Sequence, residues 1–170
     1  SMWPLLLEGM QVFASEAPSV VIGYRQNTGL MFEDWNDEDA RHERPILRSI
    51  QLGIQGWASS DLEGFLEFVT VNAKSELLLV HRLLAQGLLR IAAHSPQHVF
   101  DYLRADPRRL VLGPYNDVHK ESVALIAAVC PLLDDPSYGA METYLRDWRC
   151  YNEAEKQDDA GIRQKRLQWA

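Results

Sequence analysis

The chain has 170 residues, enough for one domain that buries roughly 70% of its unfolded surface without disulfides or metals. Its 46% hydrophobic and 24% charged residues exclude a disordered chain, and its two cysteines, Cys130 and Cys150, form no CxxC, so a reduced, cytoplasmic setting is expected. The net charge of −7 argues against nucleic acid as a partner, and it is unevenly spread: residues 1–67 hold 11 acids and 4 bases, residues 68–170 hold 13 of each.

Trp3 to Ser15 opens with Pro4 near a first helical turn and places apolar residues at 5, 6, 7, 10, 12 and 13, which predicts a short helix. No basic region, apolar core and cleavage site follow in order, so no signal peptide is expected, and Ser1 before Met2 reads as a tag remnant. The stretch SVVIGYRQNTGLMFEDW has β-branched and aromatic residues on either side of Gln26-Asn27-Thr28-Gly29, the pattern of a small hairpin that must lie against helices to persist. Glu33, Asp34, Asp37, Glu38 and Asp39 then form an acidic loop, which would repel phosphates and attract a basic protein surface.

Ile46 to Ala58 is amphipathic, with Leu47, Ile50, Ile54 and Trp57 on one side. Ser60 and Glu63 have capping-box spacing, predicting a second helix that carries Phe65, Leu66, Phe68 and Val69. Ser75 to His94 is the centre of the chain. Its Arg82, Gln86, Arg90 and His94 recur every fourth residue as one narrow polar stripe, and leucines fill nearly every other direction, so this helix must be covered on most sides. Ser95-Pro96 launches a short helix, QHVFDYLRA. RRLVL reads as a single helical turn or an extended connector, and Asn116-Asp117 are expected to cap a second long apolar helix, His119 to roughly Leu133, that Pro131 ends or kinks. Asp135-Pro136 starts a further helix, with Met141, Tyr144, Leu145 and Trp148 on a common face.

Overlaying these pieces exposes a repeat. Ile91-Ala92-Ala93-His94-Ser95-Pro96 and Ile126-Ala127-Ala128-Val129-Cys130-Pro131 match as I-A-A-x-x-P at an offset of 35, which also sets Trp57-Ala58-Ser59-Ser60 over Ala92-Ala93-His94-Ser95. Each long helix precedes a shorter one bearing an acid and aromatics. Paired helices with a period in the thirties mark an α-solenoid. Over about residues 46 to 149 the alternation resembles HEAT, armadillo or tetratricopeptide arrays, although the RRLVLGPYND insertion stretches the last unit. The overall texture also resembles helical regions of large bacterial multidomain signalling ATPases, some of which act in antiphage defence. That resemblance implies an ATPase elsewhere in a longer parent chain.

Chemistry is harder to find. Gly23 to Gly29 has five residues between its glycines, and Leu30 stands where a phosphate loop needs lysine. His94 and His98 are spaced as a helical zinc pair, but Pro96 puts them on different elements. Cys150 beside Arg149 lacks an identifiable base. Arg104, Arg108, Arg109 and Lys120 near Tyr102 and Tyr115 could form a basic-aromatic surface, or could simply pair with local acids.

The expectation is an all-α protein, a helical repeat of α-solenoid type or an irregular helical bundle, with room for a small N-terminal β-hairpin. Residues 1–45 form an N-terminal helix, hairpin and acidic loop packed on the main body, 46–150 the helical-repeat domain, and 151–170 a polar helix or tail. Non-catalytic scaffolding or protein interaction is the expected role, without catalytic residues, cofactor or metal, and with a protein partner or neighbouring domains of the same chain rather than a membrane. Partner contacts are expected at Glu33, Asp34, Asp37, Glu38 and Asp39 and, on the surface made by successive short helices, at Tyr102, Tyr144 and Trp148 wherever these rings are not already core, which is the plainer reading of each. Two alternatives stay open. One is an acidic inhibitor or immunity-type protein whose acidic loop covers a basic partner, and the other a helical enzyme with a site among His81, Asp117 and His119.

Overall fold

A computed structural model describes residues 3–16, 19–21, 24–26, 45–114 and 117–148. The acidic segment from Glu33 to Glu43 and the tail 151–170 lie outside the described residues. The fold is all-α. Helix α1 (Trp3–Glu16) is followed by strands β1 (Ser19–Val21) and β2 (Tyr24–Gln26), then α2 (Pro45–Ser60), α3 (Leu62–Asn72), α4 (Leu78–Ile91) and α5 (Pro96–Arg104). A 3-10 turn at Pro107–Leu110 leads to α6 (Lys120–Val129), and a second at Cys130–Leu132 to α7 (Asp135–Asp147). No helix among the described residues is long and apolar enough to cross a membrane.

Local chemistry explains most of these boundaries. Pro96 occupies the first turn of α5, where a missing N–H costs nothing, and Pro107 and Pro131 do the same for the two 3-10 turns. Asp134 caps α7 by accepting from the Ser137 amide at 2.9 Å. The start of α3 differs from expectation by one residue. Asp61, not Ser60, is the cap and accepts from the Gly64 amide at 3.0 Å, because the Ser60 hydroxyl turns back to the Trp57 carbonyl. The hairpin also differs. Ser19 pairs with Gln26 and Val21 with Tyr24, so the reversal that joins β1 to β2 lies between Val21 and Tyr24, while the turn expected at 26–29 falls largely outside the described residues.

Helix α4 is the axis of the core, and every residue from Leu78 to Leu88 is buried. It packs between α2 and α6. Gln51 Nε2 donates to Gln86 Oε1 at 2.9 Å, and Arg90 Nη2 donates to Gln55 Oε1 at 3.3 Å, both pairs 35 residues apart. Equal separation means that α2 and α4 run parallel, with α3 returning between them. On the other side of the core α5 and α7 also run parallel, since Ser137 bonds Gln97 and Tyr144 bonds the Leu103 carbonyl at separations of 40 and 41. Thus α4 packs beside α2 and α6, while α5 packs beside both α6 and α7; α6, at 10 residues, is shorter than α3 and α7, so the expected alternation of long and short helices ends at α5.

One close approach in the core is made at Gly87. A Cβ there would strike the Phe65 ring and sit 2.9 Å from Ile54 Cγ2, so α2, α3 and α4 can meet only where α4 has no side chain. Gly87→Ala should therefore destabilise by roughly 1–3 kcal/mol despite alanine's better helix propensity, and chemical denaturation would read it as a lower midpoint at unchanged slope. The N-terminal elements are pinned to the same body. The Trp3 indole donates to Asn72 Oδ1 at 3.3 Å and meets Phe68 edge-on at 4.8 Å, and Tyr24 of β2 is fully buried against His81 at 4.9 Å.

Candidate interaction surface

Beneath the hairpin lies a polar knot. His81 Nε2 is 2.7 Å from the Ser75 carbonyl and must donate to it, so Nδ1 accepts from the Tyr102 hydroxyl at 2.8 Å. Arg109 stacks its guanidinium 4.1 Å over the Tyr102 ring and donates to the carbonyls of Tyr102 and Ala73. Arg108 lies 4.6 Å over the Tyr24 ring and binds Asp106 and Glu76. Burial drives His81 down to about 4 and pushes the Tyr24 and Tyr102 hydroxyls up. The Asp106 carboxyl is raised by burial, but hydrogen bonds from Arg108 outweigh this and hold it below its usual value. The knot fastens the hairpin, the α3–α4 connection and the first 3-10 turn to one another. Its groups face inward, and two polar atoms among them, the Tyr24 hydroxyl and Arg109 Nε, are buried without a hydrogen-bond partner.

A second polar system runs across the long helices. Arg48 Nη1 donates to Gln51 Oε1 at 2.6 Å, Gln51 and Gln55 both donate to Gln86, and Arg90 closes the run on Gln55. Deeper in α4, Arg82 is fully buried and reaches Glu121 Oε1 with Nη2 at 2.7 Å and Nε at 3.2 Å. Burial raises the Glu121 carboxyl, and the nearby Arg82 opposes that rise. Glu121 Oε2 is buried with no hydrogen-bond partner, and it borders a notch of about 90 Å³ between α4 and α6 lined by Ala85, Gln86, Leu89, Lys120, Glu121 and Ala124. Around the notch and the ladder stand Leu52, Leu89 and Val123, exposed by 50%, 39% and 56%.

The residues singled out from the sequence are placed differently. Tyr102 is 5% exposed and bonded to His81, so it is a core residue and offers no ring to a partner. Tyr144 is half-buried, with its hydroxyl on the Leu103 carbonyl, and Trp148 packs near His119 while its indole donates to the Pro107 carbonyl at 2.8 Å. Both rings hold α7 to α5 and the first 3-10 turn, and with Tyr102 they form no single solvent-facing patch. Glu33, Asp34, Asp37, Glu38 and Asp39 lie outside the described residues. No family model matches the chain, and no curated protein or solved structure matches it.

The residues considered for an enzyme site are not brought together. His81 sits under the hairpin, whereas His119 gives Nδ1 to the Leu110 carbonyl at 2.7 Å and its own amide bonds Asp117 Oδ1. Of the basic-aromatic cluster, Arg109 is buried, Arg108 pairs with local acids, and Arg104 rests 5.4 Å from the Phe100 ring. Sequence reasoning singled out Gln86 and Arg90 in the stripe of α4 but not the α2 side of the ladder, Arg48, Gln51 and Gln55. Its signal was present, since an offset of 35 places Gln51 over Gln86 and Gln55 over Arg90. A glutamine carries no charge or ligand chemistry that would have drawn attention to it.

Proposed function

We propose that this chain is a non-catalytic protein-interaction or scaffolding segment of helical-repeat type, comparable to HEAT, armadillo or tetratricopeptide arrays, working within a larger bacterial defence or signalling protein. The observation that carries this reading is the parallel, in-phase pairing of α2 with α4, residue i against residue i+35, which sets the exposed side of α2 beside the exposed last turn of α4 at Leu89 and Arg90. That face bears exposed apolar side chains beside hydrogen-bonding ones, the mixture found in recognition surfaces. The titratable groups with the largest shifts, Tyr24, His81 and Tyr102, are instead locked in a structural knot.

Affinity capture from source-cell lysate with the wild-type chain and with Leu52→Asp/Val123→Asp tests it. Both positions are exposed, so folding should be retained, as thermal unfolding would verify. A partner captured near stoichiometrically by the wild type and reduced about tenfold or more by the double variant would support the reading. Capture that the variant leaves unchanged would remove this face from consideration.

A further inference from the structure

Charge is unevenly distributed among the helices of this fold. Helices α2, α4 and α6 carry Arg48, Arg82 and Arg90, and Lys120 and Glu121, and the single acid among them is buried and committed to Arg82. Helices α3, α5 and α7 carry six exposed acids, Glu63, Glu67, Asp101, Asp135, Glu142 and Asp147, against two exposed bases, Arg104 and Arg146. A chain of net charge −7 thus gathers Arg48, Arg90 and Lys120 on one face, where Leu52, Leu89 and Val123 stand exposed between them. Arg48 and Arg90 spend their described hydrogen bonds on the neutral amides of Gln51 and Gln55. A carboxylate is a stronger partner for guanidinium than an amide, and it can take both N–H groups of the fork at once.

We propose that the surface formed by α2, the last turn of α4 at Leu89 and Arg90, and the start of α6 docks an acidic, leucine-bearing segment of a partner protein. Carboxylates of that segment meet Arg48, Arg90 and Lys120, and its apolar side chains cover Leu52, Leu89 and Val123. The notch beside Ala85 and Ala124 admits one small side chain at the centre. A nucleic acid fits this face less well. This surface presents apolar rather than aromatic groups between the cations, so bases find no stacking platform, and the acidic remainder of the chain repels a phosphate backbone. This inference rests on the interaction reading above and specifies the partner's chemistry.

The test uses the full chain and three labelled probes followed by fluorescence anisotropy: a helical Glu/Leu/Ala peptide of about 18 residues, its Lys-for-Glu counterpart, and a single-stranded RNA of about 12 nucleotides. The acidic peptide should bind, weaken at ~300 mM salt relative to ~50 mM, and lose about tenfold or more in affinity with Arg48→Glu/Arg90→Glu. Glu63→Lys/Glu67→Lys on α3 should leave the affinity unchanged, with circular dichroism checking that both variants fold. Equal binding of the two peptides, tighter binding of the RNA, no binding of the acidic peptide, or indifference to the arginine reversals would each overturn the proposal. If lysate capture is lost in Leu52→Asp/Val123→Asp yet survives Arg48→Glu/Arg90→Glu, the acidic partner is wrong while the interaction reading stands.

Discussion

Replacing Arg82 by methionine is expected to cost about 3–5 kcal/mol at neutral pH, the largest loss from any single change outside the apolar core. The guanidinium is wholly buried and holds one oxygen of Glu121 through two nitrogens, while the other oxygen has no hydrogen-bond partner. Without Arg82 the buried carboxylate loses its paired cation, and Lys120, which lines the same notch, acts on it as a charge only more weakly. Burial already raises the Glu121 carboxyl, and losing the arginine raises it further. A carboxyl whose folded pKa lies above its unfolded value stabilises at low pH and loses that contribution as pH rises through the folded value. The variant should therefore fall short of wild type by more at alkaline than at acidic pH. Arg82→Met combined with Glu121→Leu should recover most of the loss, because similar apolar volume replaces both charges at once. Urea unfolding of the two variants and wild type measures this, and a single-variant loss below about 1 kcal/mol would show that the pair is not what holds α4 to α6.

Acid should loosen the protein through His81. Its folded pKa is depressed to about 4, chiefly by burial, against about 6.5 for an unfolded histidine. Between those values the unfolded chain binds the proton and the folded chain does not, so stability is full above about pH 6.5 and declines as pH falls toward 4. The difference corresponds to about 3 kcal/mol. Protonation would also set an Nδ1–H against the Tyr102 hydroxyl and add a cation beside Arg108 and Arg109. Asp106, whose pKa is lowered, gives a slope of the same sign and Glu121 one of the opposite sign, so the comparison is between wild type and His81→Gln. Unfolding measured across this range should show a flatter pH dependence in the variant. Parallel curves would mean that the imidazole is not the group responsible.

Much of this architecture was legible because period and punctuation agree. The stripe of Arg82, Gln86 and Arg90 in a field of leucines announces a helix covered on most sides, and α4 is buried from Leu78 to Leu88. What escaped notice was decided by competition between neighbours. Ser60 and Asp61 both suit a helix start, and the serine's hydroxyl finds the Trp57 carbonyl first. Tyr102 shares a short helix with the exposed Asp101 and Arg104, but it projects toward His81 because α4 offers an imidazole nitrogen there. Arg109 is buried against all expectation for its type, since a ring face and two backbone carbonyls hold the guanidinium through its two terminal nitrogens, leaving Nε without a hydrogen-bond partner.

The spacing of the contacts that join the helices has a kinetic meaning. Gln55 to Gln86, Arg108 to Glu76, Gln51 to Gln86, Arg82 to Glu121 and Trp148 to Pro107 span 31, 32, 35, 39 and 41 residues, whereas Trp3 to Asn72 spans 69. Closing loops of one modest size, over and over, lets neighbouring helix pairs assemble in succession without waiting for a distant segment, which favours rapid folding. The same economy leaves the ends less protected than the middle. Amide protons of α1 should exchange through opening events far short of complete unfolding, while those of α4, flanked on both sides, are released only when the whole chain comes apart.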